Sequence, residues 1–275
     1  MTVVDQSYDL AESKLAKRSG WRLRPEIWLP FLLPVLMLVI WEVGSHIGLV
    51  STRILPRPST VLAKAWTMTL SGELFLHLGV SALRAFAGLA IGGLLGFALG
   101  LSNGLSQRSA LLTDTTVQMI RNIPILALIP LVIIWFGVGE TARLFLVAIS
   151  VFFPIYINTF HGVRNVDPQL IEMGRAYGMS QRSLFLRVIF PGALPTIFVG
   201  LRYALGLMWF VLVVAETLAA SAGLGYMAMQ AREFMQLDVV VLSILLYALL
   251  GKLADMITRA LETRALAWNP AYARQ

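Results

Sequence analysis

The sequence has no cysteine among its 275 residues, which excludes disulfides, thiolate metal sites and thiol nucleophiles together. Its three histidines, His46, His77 and His161, are scattered, and none belongs to an H-E-x-x-H or comparable ligand spacing. No metal site and no bound cofactor is expected. A G-x-x-x-x-G-K-[ST] run is also missing, so the chain lacks the loop that cradles nucleotide phosphates. Charge is scarce: Asp, Glu, Lys and Arg supply 13% of the residues, about half of what soluble domains carry. A membrane enzyme finds no support, because no nucleophile, base and orienting group converge at usable spacing.

What is abundant is hydrocarbon. Apolar residues make up 57% of the chain and the mean hydropathy is +0.75. Runs such as "LPVLMLVIW" and "IPLVIIWFGV" do not alternate apolar with polar residues, which sets aside a β-barrel. Helices close all their backbone hydrogen bonds internally, and about 20 apolar residues let one cross a bilayer. The fold class expected is all-α, a polytopic membrane protein of about six transmembrane helices. Expected spans are 27–50, 79–101, 123–137, 143–160, 194–220 and 239–261, between a polar tail at 1–26 and a second tail at 267–275. The lead before the first span contains Asp5, Asp9 and Glu12 and no small-x-small site follows it, so a retained span is preferred to a cleaved signal peptide.

Six crossings put both termini on one side. Fifteen basic residues fall on that side, among them Lys14, Lys17, Arg18, Arg108, Arg164, Arg175, Arg187 and Arg264; five, Arg53, Arg57, Lys64, Arg143 and Arg232, fall on the other. The positive-inside rule makes the richer face cytoplasmic, with the N and C termini inside. This asymmetry accounts for the net charge of +7 and requires no nucleic acid.

Within the second span, Gly88, Gly92, Gly96 and Gly100 recur every four residues, leaving a helix stripe bare of side chains for close approach of a neighbour. "ILPRPSTVL", Ile54 to Leu62, reads as an extended Pro-bounded stretch entering a helix capped by Ser59 or Thr60. "RNIP", Arg121 to Pro124, opens an expected span that Pro124 and Pro130 interrupt. Charges inside spans are costly and need partners or a wet cavity. Glu42, Arg84, Arg202 and Glu216 are the four. Arg202, Met208, Trp209 and Glu216 are candidates for the pathway or its gate, against a purely structural reading of each.

The segment "IEMGRAYGMSQRSLFLRVIFP", Ile171 to Pro191, is a polar interruption between apolar runs. Asp167 before Pro168 marks a helix start. Gly178 suits a left-handed helix end, and Ser180 can cap a second helix that stops before Pro191. Leu170, Met173 and Tyr177 form an apolar ridge, with Glu172 and Arg175 on its flanks. Periodicity leaves two readings open: a ridge that docks into another protein, or a hairpin packed on its own spans.

Glu172, Gly178 six residues later and Pro191 thirteen further on match the spacing of the cytoplasmic "EAA" loop of bacterial ABC importer permeases. Met173 and Gly174 stand where that pattern has two alanines. "LPRPSTVL", "RNIPILALIPLVIIWFGVG", "FPIYINTFHGVRNVDPQLIEMGRAYGMS" and "AETLAASAGLGYM" resemble the branch for aliphatic sulfonates, taurine and nitrate, the aliphatic-sulfonate permeases most of all. The resemblance implies a type I importer permease domain over 51–266 with a coupling loop at 162–191. It further implies a location in the inner membrane, a homodimer, two cytosolic ATPase subunits that bind ATP and Mg, and an extracytoplasmic solute-binding protein. Leu170, Glu172, Met173, Arg175, Tyr177 and Gly178 would then contact the ATPase. Taurine, nitrate or a thiamine precursor are the alternative substrates. An ion-coupled secondary transporter is the alternative of another class, and it would need mid-membrane carboxylates, for which only Glu42 and Glu216 are available. A membrane-anchoring or assembly subunit without a pathway is a further alternative.

Overall fold

The computed structural model describes residues 25–218 and 220–269, and every regular element among them is helical. The two expected tails lie largely outside these residues. Two units are distinguished, one ending at Ser59 and the other beginning at Thr60.

In the first unit, α1 spans Pro25–His46 and covers most of the expected first crossing. Near its end the Glu42 carboxylate accepts hydrogen bonds from the Ser59 amide at 3.0 Å and the Ser59 hydroxyl at 2.8 Å. The expectation that Ser59 caps its own helix is therefore corrected. Helix α2, Pro58–Leu70, starts at a proline, so Ser59 already lies in its first turn, and a carboxylate from elsewhere receives its free amide.

The second unit is built on α3 (Glu73–Leu105), α6 (Glu140–Arg164), α9 (Phe190–Thr217) and α11 (Leu237–Ala265). Among the described residues these four, with α9 extended back to Gln181, are the helices long and apolar enough to cross a membrane. Residues Leu32–His46 of α1 form a shorter apolar stretch. The glycine stripe of α3 lies on α6. A Cβ added at Gly92 would stand 2.0 Å from the Ala148 carbonyl oxygen, and at Gly96 and Gly100 it would be 2.5 Å and 2.6 Å from those of Phe152 and Tyr156. Only glycine permits this approach, which brings backbone against backbone. On its other side α6 packs on α9, and Ala85, Val147, Val151, Ala204, Met208 and Leu212 form the buried centre shared by the three helices.

The expected crossing at 123–137 is not a single helix. Helix α4, Gln107–Arg121, is followed by a 3-10 turn, Ile125–Leu128, and by α5, Ile129–Phe136. The two halves meet at 86°. Pro124 lacks an amide hydrogen and takes an extended ψ of 121°, so the helix cannot continue through it. The eight residues of α5 reach only about 12 Å. If the bent pair counts as one span, the crossings of this unit number five.

The helix expected to stop before Pro191 runs on instead. After α8, Gln181–Leu184, a π turn over Phe185–Ile189 leads directly into α9. Pro191 cannot donate, and in an α-helix its ring would press on the carbonyl four residues back. The wider turn, closed by the Phe190 amide on the Phe185 carbonyl, lets the chain pass this point as one helix of 37 residues.

Helix α10, Leu224–Glu233, ends in a paired-bond motif. The Met235 amide donates to the Arg232 carbonyl at 3.2 Å and the Gln236 amide to the Ala231 carbonyl at 2.8 Å. Met235 has φ +56°, the one left-handed residue other than glycine among the described residues. That conformation costs an L side chain about 1–2 kcal/mol.

Candidate functional site

The elbow is constructed from local rules. Helix α7, Pro168–Ala176, begins at Asp167, whose carboxylate accepts from the Gln169 amide at 2.9 Å. It ends where the Gly178 amide donates to the Arg175 carbonyl at 2.9 Å and the Met179 amide to the Gly174 carbonyl at 3.0 Å, with Gly178 at φ +72°. Gly174 stands at the second alanine position of the loop pattern for a steric reason. A Cβ there would meet Leu184 Cδ1 at 2.6 Å and Met179 Sδ at 3.2 Å, so these side-chain ends would have to move to admit one.

The other side carries the ridge. Leu170, Met173 and Tyr177 are all exposed, Tyr177 to 82%, and Glu172 and Arg175 are exposed beside them. Burying the ridge on its own spans is not what the chain does. A groove of about 660 Å³ runs along it, lined by Leu170, Met173, Tyr177, Met179, Phe190 and Trp268. Trp268 was not singled out by the sequence reading. Its position three residues past the end of α11 is the only hint the sequence offers.

A second constellation joins residues that sequence reasoning weighed singly. Glu216, fully buried near the end of α9, accepts from the Ser81 hydroxyl at 2.7 Å, Arg84 Nη1 at 2.9 Å, the Gly225 amide at 2.9 Å and the Tyr247 hydroxyl at 3.1 Å. Arg84 also donates through Nε to Glu140 at 2.7 Å and through Nη1 to the Ala222 carbonyl at 2.6 Å. Arg143 donates to Glu140 at 2.8 Å. Two arginines thus face two carboxylates, and five helices, α3, α6, α9, α10 and α11, are tied at one point. The "AGLGYM" part of the sequence explains itself here. Gly223, at φ +120°, and Gly225 both lie against Glu216, where an added Cβ would come within 2.5 Å and 2.6 Å of its side chain. The Gly223 amide donates to His77 Nδ1 at 3.1 Å. Every strong acceptor position of the Glu216 carboxylate is thereby used, as burial of a charge requires.

The remaining pathway candidates are placed differently. Met208 and Trp209 are buried in the shared centre of α3, α6 and α9, Trp209 with its ring 6.4 Å from that of Tyr247. Arg202 is half-exposed and hydrogen-bonded to Glu262, with Asp255 at 3.6 Å. Asp255 also pairs with Arg259 at 3.0 Å. No group of three or more His, Asp or Glu suited to a metal occurs among the described residues.

Comparison with known proteins supplies the context. The chain is 57% identical to the aliphatic sulfonates transport permease protein SsuC of Escherichia coli (strain K12), over 92% of this chain and 95% of that one. It is 34% identical to the taurine transport system permease protein TauC of the same organism, over 90% and 92%. The nitrate import permease protein NrtB of Synechococcus elongatus is 31% identical over 76% and 79%. Among solved structures, an amino acid ABC transporter chain matches in fold with a TM-score of 0.59 at 20% identity, over 74% of this chain and 96% of that one. Residues 88–266 match the family described as binding-protein-dependent transport system inner membrane component, and this stretch holds both the elbow and most of the buried network. The chain belongs to that family and is a multi-pass inner membrane permease component of an ABC transporter.

Proposed function

We propose that the chain is the permease of an ATP-driven importer of aliphatic sulfonates, acting as a homodimer with two cytosolic ATPase subunits and an extracytoplasmic binding protein. The elbow is the observation that carries the reading. It is a rigid, twice-capped helix whose apolar ridge is unburied, and it continues through the π turn into a transmembrane rod. An ATPase seated on Leu170, Glu172, Met173, Arg175, Tyr177 and Gly178 would push on that rod. ATP and Mg stay with the ATPase, and the permease contributes no nucleotide site. Both termini, the elbow and Trp268 then face the cytoplasm, and the Gly223–Met235 region faces outward. The 57% identity to a sulfonate permease favours sulfonates over taurine or nitrate.

Mechanically, two states of the rods alternate, and ATP favours the state in which the ATPases close. Glu216, Met208 and Trp209 hold the rods together, and Arg202, half-exposed and paired with Glu262, is the candidate cation that an anionic headgroup would meet by competing with that carboxylate. Reconstitution with the ATPase and binding protein tests this. ATP-dependent uptake of a labelled alkanesulfonate, with weaker uptake of taurine and none of nitrate, is expected. Glu172→Ala should keep the fold and lose most coupled transport. Uptake without an ATPase, or full uptake by Glu172→Ala, would sink the reading.

A further inference from the structure

The turn between α10 and α11 contains a conformational choice that packing does not explain. Among the described residues, the helices ending at Ala176 and Glu233 close with the same paired-bond motif. At the inner elbow the left-handed position is filled by Gly178, while at the end of α10 it is filled by Met235. A strained non-glycine residue persists where the surroundings or a function require it. The surroundings do not: Met235 is 77% exposed and the preceding Phe234 67%, so neither side chain gains burial in return for the strain. All five residues from Arg232 to Gln236 are exposed.

Phe234 also separates two hollows, of about 390 Å³ and about 370 Å³. Tyr226 and Met229 line the first, Lys64 and Met227 the second, and Gln230 and Phe234 line both. Phe234 therefore stands between two recesses, with the exposed Met235 next to it in the chain. The charged residues at and beside these hollows carry an acidic excess: Glu73, Glu233 and Asp238 against Lys64 and Arg232. Carboxylates placed here disfavour an anionic lipid surface and a like-charged second copy. They favour a protein whose face offers an apolar recess with a basic rim.

We propose that Phe234 and Met235 form the knob on which the extracytoplasmic binding protein seats, and that α10 carries this contact into the Glu216 network. The proposal rests on the importer reading above, which puts this turn outside. The load path is short. Ten residues of α10 link the knob to Gly225 and Leu224, whose amides are held by Glu216 at 2.9 Å and by the Ser81 hydroxyl at 2.8 Å. Arrival of the binding protein at one end of α10 thus bears on the point where α3, α9 and α11 meet.

The absence of cysteine makes the test direct. In the assembled permease and ATPase complex in proteoliposomes, Phe234→Cys is the sole permease thiol and reacts with a membrane-impermeant maleimide. With the loaded binding protein of the same transport system at about ten times its Kd, labelling should slow about tenfold. Met235→Gly, which relieves the backbone strain, should leave the thermal midpoint unchanged or higher and weaken binding-protein affinity about tenfold. Unchanged labelling at saturation, or Met235→Gly binding as tightly as the parent, overturns the proposal. So does protection that depends on anionic lipid or on permease dimerisation rather than on the binding protein. If the parent complex shows no binding-protein-stimulated ATP hydrolysis, the importer reading falls, and this contact with it. Stimulation with an unprotected residue 234 removes the knob alone.

Discussion

Replacing Gly92 by alanine is a sharp test of how α3 and α6 are joined. The new Cβ would sit 2.0 Å from the Ala148 carbonyl oxygen, 2.7 Å from its carbon and 2.8 Å from its Cα. An ordinary carbon to oxygen contact is about 3.3 Å, so the helices must part by about 1.3 Å at this level. The obstacle is backbone, and no side chain can swing aside. Separation cannot stay local either, because Gly88, Gly96 and Gly100 grip α6 on both sides of the same contact. Overpacking of this kind costs about 1–3 kcal/mol, and the backbone clash argues for the upper part of that range. A change of about 2.8 kcal/mol is a hundredfold shift in the folded to unfolded ratio. Gly79 in the same helix provides the control, since an added Cβ there meets nothing within 4 Å. Alanine at that position should be neutral or stabilising by up to about 1 kcal/mol. Denaturant titration in detergent, followed by the fluorescence of the seven tryptophans, reads both variants. Equal stability of Gly92→Ala and Gly79→Ala would refute the close-contact argument.

The buried network and the elbow give further expectations. Arg84→Met leaves Glu216 without its cation, and Glu216→Gln leaves Arg84 with Glu140 as its one carboxylate partner beside the Ala222 carbonyl; each should cost about 3–5 kcal/mol. The double variant should cost less than the sum by at least about 1 kcal/mol, measured by the same titration. Gly178→Asn should retain ATPase attachment and transport, because asparagine tolerates a left-handed position. Gly178→Val should release the ATPase in a pull-down while thermal unfolding of the transmembrane helices stays close to the parent.

Long apolar runs made four of the crossings visible in advance; the structure extends 79–101 to Glu73–Leu105, 143–160 to Glu140–Arg164 and 239–261 to Leu237–Ala265, while the helix at 194–220 ends earlier, at Thr217. The elbow was readable for a different reason. Its determinants, Asp167, Pro168 and Gly178, act within a few residues of themselves, so their meaning is local. Three things were hidden. Helix α4 carries Gln107, Arg108, Thr113, Asp114 and Gln118, and no hydropathy argument finds such a helix. The break at Pro124 was noted, but not that it turns the chain by 86°. Above all, Arg84 and Glu216 lie 132 positions apart, and nothing in either neighbourhood names the other. Their pairing follows from which faces α3 and α9 present to each other, which is a property of packing. The turn at Met235 is the opposite case: the sequence there looks ordinary, and its interest lies in a backbone angle.

The uninterrupted helix from Gln181 to Thr217 has a mechanical corollary. At about 55 Å in length it is a single stiff beam, rooted beside the elbow at one extremity and clamped through Glu216 at the other. A nudge delivered at one end therefore arrives at the other as tilt. The widened turn at Phe185–Ile189 is a compliant spot near the elbow end, so the beam should pivot there and swing its far end through the largest arc.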